Sequence, residues 1–138
     1  MLVEDNSGDE VLTLRAFRKS NVPHEVAVAR DGAEALDYLF GAGKYEGQDI
    51  SPEVILLDLK LPRIDGGEVL RRLRAHERTK LTPVVVFTSS REEQDVVDSF
   101  KAGCNSFICK PVNFDQFVEV IKHIVTYWLL WNEPLPKI

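Results

Sequence analysis

Five polar residues stand where apolar segments of this 138-residue sequence end, and their side chains have complementary chemistry. In chain order they are Glu4, Asp5, Asp58, Thr88 and Lys110. Three carboxylates brought together repel one another unless a cation lies between them. Mg²⁺ takes oxygen ligands and keeps several waters, which leaves room for a phosphate group. The set therefore predicts a Mg²⁺ site beside a hydroxyl and an ammonium group that can bind phosphoryl oxygens.

Asp58 is the candidate nucleophile of this set. A carboxylate can attack phosphorus to form an aspartyl phosphate, and Asp58 ends the predicted central strand, VILLDL (54–59). A single acid in such a position usually caps a helix or faces solvent, and a single Lys-Pro is usually a turn. Their coincidence at four strand ends favours a functional site instead.

The elements that would position these residues alternate between strand and helix. The predicted strands cover residues 1–3, 25–29, 54–59, 83–90 and 106–110. Predicted helices begin at the cap spacings Ser7/Glu10, Asp31/Glu34 and Asn113/Gln116, and two more cover 66–77 and about 92–102, the latter ending at Gly103. Strict alternation predicts an α/β fold, a doubly wound five-stranded parallel sheet with five helices, in one domain of residues 1–138. Ligands of such sheets bind beyond the carboxyl ends of the strands, where all five polar residues would meet.

Two lengths in this pattern are unusual. The 41–53 connection exceeds the roughly 2–6 residues common between a helix and a strand, and we expect a surface insertion, with a partner-binding loop as the alternative. The first strand has only three residues before the acids, which is consistent with residues missing upstream of Met1.

Composition argues against several classes of function. The net charge of -5 argues against binding a nucleic-acid backbone, and the basic run RRLRAHERTK (71–80) is typical of a solvated helix face. Cys104 and Cys109 lack metal-ligand spacing and are expected to be buried thiols in a reducing cytoplasm. No signal peptide is recognisable, and the apolar run YWLLW is too short to span a bilayer. We expect a cytoplasmic protein that binds neither nucleic acid nor membrane.

The last helix is more apolar than one buried face requires. Between Phe114 and Trp131, 12 of 18 residues are apolar, whereas a core-facing helix needs about three in seven. One stripe, expected against the sheet, comprises Phe114, Val118, Ile121, Val125 and Trp128. The other comprises Phe117, Val120, Ile124, Tyr127 and Trp131. An exposed apolar stripe usually marks an interface, so we expect a homodimer through the second one, unless residues 132–138 fold over it.

The sequence resembles the receiver domain of two-component response regulators over essentially its whole length. The resemblance rests on LVEDN (2–6), LLDLKLPRIDG (56–66), VVVFTSS (84–90), KAGCNSFICKP (101–111) and the final helix. It implies a flavodoxin-like strand order of 2-1-3-4-5 and a protein that catalyses only its own phosphorylation and dephosphorylation. With residues 132–138 as a tail and no output domain, output would pass through a partner, onward phosphate relay or a change of oligomer.

The resemblance also implies roles for the acidic residues. Asp58 would accept phosphate from a phosphohistidine of a sensor histidine kinase. Glu4, Asp5, Asp58 and the backbone carbonyl of Lys60 would bind Mg²⁺. Glu4 stands where the family more often has Asp, so its contact with the metal would pass through water. The ammonium of Lys60 would compete weakly with the metal in the unphosphorylated state.

The remaining residues would form a conformational switch. The resemblance implies that Thr88 hydrogen-bonds the phosphoryl group and moves inward, and that Phe107, in the switch-aromatic position, rotates after it. Lys110 would pair with the phosphoryl group, and the Lys110–Pro111 peptide bond would be cis.

A finer resemblance links the chain to the single-domain regulators that serve phytochrome-type histidine kinases. It rests on the long 41–53 connection and on the segment TYWLLWNEPLP (126–136). Regulators of this kind pair through the same C-terminal region, which favours the homodimer.

Other protein classes fit the sequence less well. A haloacid-dehalogenase-type phosphatase needs a second Asp where Lys60 stands, and the acids of EDNSGD (4–9) would repel the phosphate of a flavodoxin cofactor. An EF-hand loop needs Gly where Glu10 stands, and no Walker A loop is present. The alternative that stays open is a receiver-like interaction module that does not use phosphate.

Overall fold

The computed structural model describes residues 1–48 and 50–136, and in them parallel strands alternate with α-helices. The strands are β1 (Leu2–Val3), β2 (Val28–Ala29), β3 (Ile55–Leu57), β4 (Val84–Thr88) and β5 (Ser106–Cys109). The α-helices are α1 (Ser7–Lys19), α2 (Gly32–Phe40), α3 (Gly66–Ala75), α4 (Glu93–Ala102) and α5 (Phe114–Val125). The sheet order is β2-β1-β3-β4-β5. The predicted α/β fold and its strand order are confirmed.

The sheet separates two hydrophobic layers. Successive strand residues point to opposite faces, so Val3, Ile55 and Val86 pack with helices α2 and α3, together with Cys104 at the end of α4. Leu2, Leu56, Val85 and Phe87 pack with α1 and α5 on the other face. Burial on both faces explains why these strands are continuous apolar runs.

The ends of the elements differ from the predictions in small, explicable ways. The strands are shorter than predicted, and β1 and β2 have only two residues each because the ladder between them covers only two residue pairs. Asn6, rather than Ser7, caps α1, and its side chain accepts a hydrogen bond from the Asp9 amide. Asp31 and Asn113 cap α2 and α5 as predicted. Gly103 ends α4 with a φ of 106°, a left-handed conformation that glycine adopts easily.

The inward face of α5 was predicted only in part: Ile121 and Val125 of the stripe expected against the sheet are buried, but other members differ. Phe117 and Ile124, expected at the surface, are buried at 3% and 6% exposure, whereas Phe114, expected in the core, is 50% exposed. The buried set is Phe117, Ile121, Ile124 and Val125. These positions lie four, three and one residues apart, which follows the helical period of 3.6. With apolar residues on most of the helix, only packing against Phe87 and α1 decides which stripe turns inward.

The segment after α5 presents apolar side chains to solvent. A π-helical segment, Thr126–Trp131, continues α5. Within it Tyr127, Leu130 and Trp131 are 53%, 62% and 74% exposed. The following residues 133–136 are exposed too, so the described part of the tail does not cover this surface.

The long connection between α2 and β3 is attached to the domain at several points. It begins at Gly41, which is left-handed, and contains a short 3₁₀ helix, Gly43–Tyr45. The Tyr45 ring packs edge-on against Tyr38, and the Arg78 guanidinium donates a hydrogen bond to the Gln48 carbonyl. Asp49, within the predicted 41–53 insertion, lies outside the described residues, as do positions 137 and 138 of the tail. Among the described residues, no helix is both long enough and apolar enough to cross a membrane.

Candidate functional site

The carboxyl ends of four adjacent strands bring the candidate residues together. Backbone ladders fix their positions: the Asp58 amide donates to the Val3 carbonyl over 3.1 Å, and the Lys110 amide donates to the Thr88 carbonyl over 2.7 Å. Glu4 follows β1 directly, and its amide donates to Ala29 of β2. Each side chain is therefore held by the sheet rather than by a loose loop.

Lys110 is the centre of this cluster. Its Nζ atom lies 2.6 Å from Oε1 of Glu4, 2.8 Å from Oδ2 of Asp58 and 2.8 Å from Oδ2 of Asp9. The side chains of Lys110, Glu4 and Asp58 are almost completely buried, whereas that of Asp9 is 26% exposed. Buried charges of this kind persist only when they are paired and hydrogen-bonded.

Asp9 is a member of the cluster that sequence reasoning missed. It lies in the first turn of α1, 101 residues from Lys110, so no local spacing relates the two. The available signal was an acid four residues after Asp5, in the first turn of the helix that follows β1.

The acids compete for the single ammonium group. Burial raises the pKa of Glu4 to about 7, although hydrogen bonding from Lys110 opposes the rise. Burial also disfavours ionised Asp58, but hydrogen bonds from Lys110 and Thr88 hold its pKa below the ordinary value. Burial alone would lower the pKa of Lys110, yet its bonds to Asp58, Asp9 and Glu4 raise it. The cluster thus carries more negative charge than Lys110 neutralises.

The acidic residues fit a hard divalent cation. Glu4, Asp5 and Asp58 each offer one carboxylate oxygen, and these oxygens lie within 4.8 Å of one another. Oxygen donors of this kind suit Mg²⁺, and the excess negative charge gives a cation a reason to bind. Asp5 is exposed, and a cleft of about 680 Å³ runs from it past Lys60 to Asp95 and Asp98 on α4. A phosphate donor can therefore approach from solvent.

The remaining predicted residues lie close to the cluster. Thr88 is fully buried, its hydroxyl accepts a hydrogen bond from the Ser90 amide over 3.4 Å, and its nearness to Asp58 helps to lower the pKa of that carboxyl. Phe107 pairs with Val86 in the sheet and is half-buried against the layer of α2 and α3. The Lys60 amide donates to Oδ1 of Asp58 over 3.3 Å, while the residue itself is exposed. Within the described part of the chain, the recorded ion pair of Asp58 is with Lys110 rather than with the ammonium of Lys60.

The cis peptide bond predicted between Lys110 and Pro111 is absent. All peptide bonds of the described residues are trans, including this one. The trans isomer is the more stable one for an X–Pro bond, and Lys110 reaches its three carboxylates with the bond in that state.

Comparisons with known proteins agree with this geometry. The family model described as the response regulator receiver domain matches residues 1–122. A probable methanogenesis regulatory protein, FilR2 of Methanothrix harundinacea, is 39% identical over 96% of this chain and 84% of its own. Response regulator Rcp1 of Synechocystis is 36% identical over 94% of this chain and 87% of its own.

Two solved structures superimpose closely on the fold. The Mn²⁺-bound form of Rcp1 has a TM-score of 0.92 at 35% identity and covers 98% of this chain and 96% of its own. The phosphorylated cyanobacterial phytochrome response regulator RcpA has a TM-score of 0.93 at 40% identity, with the same coverage of 98% and 96%. Together with the acids, threonine and lysine at the strand ends, these matches show that the chain belongs to the response regulator receiver domain family.

Proposed function

We propose that Asp58 accepts a phosphoryl group from a phosphohistidine of a sensor histidine kinase. The observation that carries the proposal is the position of Asp58: its carboxylate is buried, bonded to Lys110 over 2.8 Å, and held below its ordinary pKa. A carboxylate that stays ionised keeps the lone pair needed for attack on phosphorus. The Asp58 oxygen forms the new P–O bond while the P–N bond breaks, and the imidazole leaves with the electron pair.

The surrounding residues would hold the metal ion, bind the phosphoryl oxygens and change conformation after phosphorylation. Glu4, Asp5 and Asp58, with the backbone carbonyl of Lys60, would hold Mg²⁺, which when bound supplies positive charge beside the phosphoryl oxygens. Lys110 and Thr88 donate hydrogen bonds to those oxygens as charge develops on them. Thr88 moves toward the phosphoryl group, and Phe107 then rotates into the space left behind. Phosphorylation thereby raises the population of the packing with Phe107 inward over that with Phe107 outward.

Labelling with a small phosphate donor tests this function. Incubation with acetyl phosphate and Mg²⁺ should add one phosphoryl group, observed by intact-protein mass spectrometry, and chelation of the metal should abolish the gain. Asp58→Asn should remove the label. Asp98→Asn is the matched control, because Asp98 is exposed on α4 at the far end of the cleft. If Asp58→Asn is labelled as well as the wild type, Asp58 is not the acceptor; an unlabelled wild type would favour an interaction module that does not use phosphate.

The kinase partner proposed here is of the phytochrome type. The support is the likeness to RcpA, whose structure is that of a cyanobacterial phytochrome response regulator. A phosphorylated phytochrome-type kinase should transfer its label to the wild type and not to Asp58→Asn. Equal transfer from an unrelated histidine kinase would remove the support for this class of partner.

We also propose that two copies pair through the surface that follows α5. The exposed residues Tyr127, Leu130 and Trp131 form its centre, and Val120 lies half-buried one turn before the end of α5. Large aromatic side chains are common anchors of protein interfaces, and exposed apolar surface of this kind usually becomes buried by association. Phe117 and Ile124 are not part of this surface, since they belong to the core of each copy.

A further inference from the structure

We propose that Asp9 is a positioning residue that holds Lys110 away from its phosphoryl-binding role until phosphate arrives. The inference rests on the proposed function and concerns the regulation of that same site. It assigns to α1 a direct part in the rate of phosphorylation, through the contact of Asp9 with the ammonium group rather than through any contact with phosphate.

The hydrogen-bond donors of Lys110 are fully used in this structure. An ammonium group has three N–H donors and no acceptor. Its three close partners are Glu4, Asp9 and Asp58, all within 2.8 Å. A phosphoryl oxygen can therefore be bound only when one of these three bonds is given up.

Asp9 is the partner that can be released at least cost. Glu4 and Asp58 have side chains only 3% and 7% exposed, so breaking either bond before transfer would remove a hydrogen bond that water cannot readily replace. The Asp9 side chain is 26% exposed, and water can replace the lost hydrogen bond.

The consequence is a barrier to phosphorylation that Asp9 itself creates. During transfer from acetyl phosphate, the Asp58 oxygen bonds to phosphorus, the P–O bond to the acetyl group breaks, and acetate leaves with the electron pair. Negative charge on the phosphoryl oxygens is then stabilised by Lys110 only if one N–H has left Asp9. Removing the Asp9 carboxylate frees that N–H in advance.

Asp9→Ala tests the proposal, with Glu10→Ala as the matched control. Glu10 is the next residue of the same helical turn and loses the same charge, but its partner is the exposed Arg30. At saturating Mg²⁺, Asp9→Ala should raise the rate of labelling by acetyl phosphate about fivefold, which corresponds to about 1 kcal/mol of barrier. Glu10→Ala should change the rate less than about twofold, since Glu10 bonds Arg30 rather than Lys110 and so leaves the ammonium group undisturbed. An unchanged or lower rate for Asp9→Ala would overturn the proposal.

A direct readout separates this proposal from failure of the proposed function. In the wild type with beryllofluoride, a mimic of the phosphoryl group, the Asp9 carboxyl ¹³C resonance should move to the position of a solvated carboxylate. A crystal structure of that complex should show Lys110 bonded to fluoride and separated from Asp9. Persistence of the 2.8 Å contact would contradict the proposal. If the wild type neither labels nor binds beryllofluoride, the proposed function fails instead.

Discussion

Gly66 is a single residue on which the position of Asp58 depends. It is the first residue of α3, and a Cβ atom there would lie 2.2 Å from the backbone carbonyl oxygen of Asp58. Its amide donates to the Leu59 carbonyl. We expect Gly66→Ala to lower the free energy of unfolding by about 1–3 kcal/mol, because backbone must move to admit the methyl group. Chemical denaturation measures this, and labelling by acetyl phosphate should slow in parallel as Asp58 shifts.

The neighbouring glycine provides the control. A Cβ atom at Gly67 would meet only side chains, the nearest being that of Asp65 at 3.3 Å. Alanine also favours helical structure over glycine by about 1 kcal/mol. Gly67→Ala should therefore leave stability unchanged or slightly raised, with labelling intact. Equal destabilisation of the two variants would show that the close approach at Gly66 does not fix Asp58.

The residues of the site could be predicted from the sequence wherever they stand at the carboxyl end of a strand, since ligands of parallel sheets bind there. Glu4, Asp58, Thr88 and Lys110 meet as expected because parallel strands end at one edge of the sheet. Asp9 could not be found that way, since its contact with Lys110 depends on how α1 docks beside β1. The cis Lys110–Pro111 bond was carried over from the resemblance, without support from this sequence itself, and the structure has a trans bond.

At the scale of elements, Arg74 connects α3 to the segments that precede β4 and β5. Its guanidinium donates to the carbonyls of Gly103, Thr79 and Thr82 and to the Asn105 side chain. Replacing the guanidinium with an apolar chain would leave these acceptors short of a donor. Arg74→Met should lower the free energy of unfolding by about 2 kcal/mol, measured by urea denaturation.

An arginine two residues away tests whether the effect is specific. Arg72 is 51% exposed and pairs with Glu68 within the same helix. Such pairs contribute about 0.3–0.5 kcal/mol, so Arg72→Met should be nearly neutral. Similar losses in the two variants would mean that Arg74 acts as an ordinary surface charge.

The elements themselves were predictable to different degrees. The buried strands were evident because both of their faces are apolar, as in β4, where all five residues are buried. The orientation of α5 was not, because two apolar stripes at helical spacing were present and Phe117 could belong to either. Its contact with Phe87 of β4 decides the question, and only tertiary packing supplies that contact.

At the scale of the whole molecule, the exposed apolar surface after α5 predicts self-association. Sedimentation at micromolar concentration should show a dimer of the wild type. Tyr127→Ala combined with Trp131→Ala should weaken it at least about tenfold, since even one aromatic anchor that costs about 2 kcal/mol on truncation changes the dissociation constant by more than that.

Leu81 offers a control elsewhere on the surface. It is 63% exposed in the connection between α3 and β4, so Leu81→Ala removes apolar area without touching the proposed interface. The Leu81→Ala variant should dimerise with the same dissociation constant as the wild type. A wild type that stays monomeric with and without phosphate would refute the dimer.

The central claim is that, among several neighbouring acids, Asp58 alone carries the phosphoryl group. Borohydride reduces an aspartyl phosphate to homoserine, so reduction of the labelled protein followed by peptide mapping locates the modified residue. We expect homoserine at position 58 only, in proportion to the label. Modification of Asp5 or Asp9, whose carboxylates belong to the same cluster, with Asp58 untouched, would contradict it.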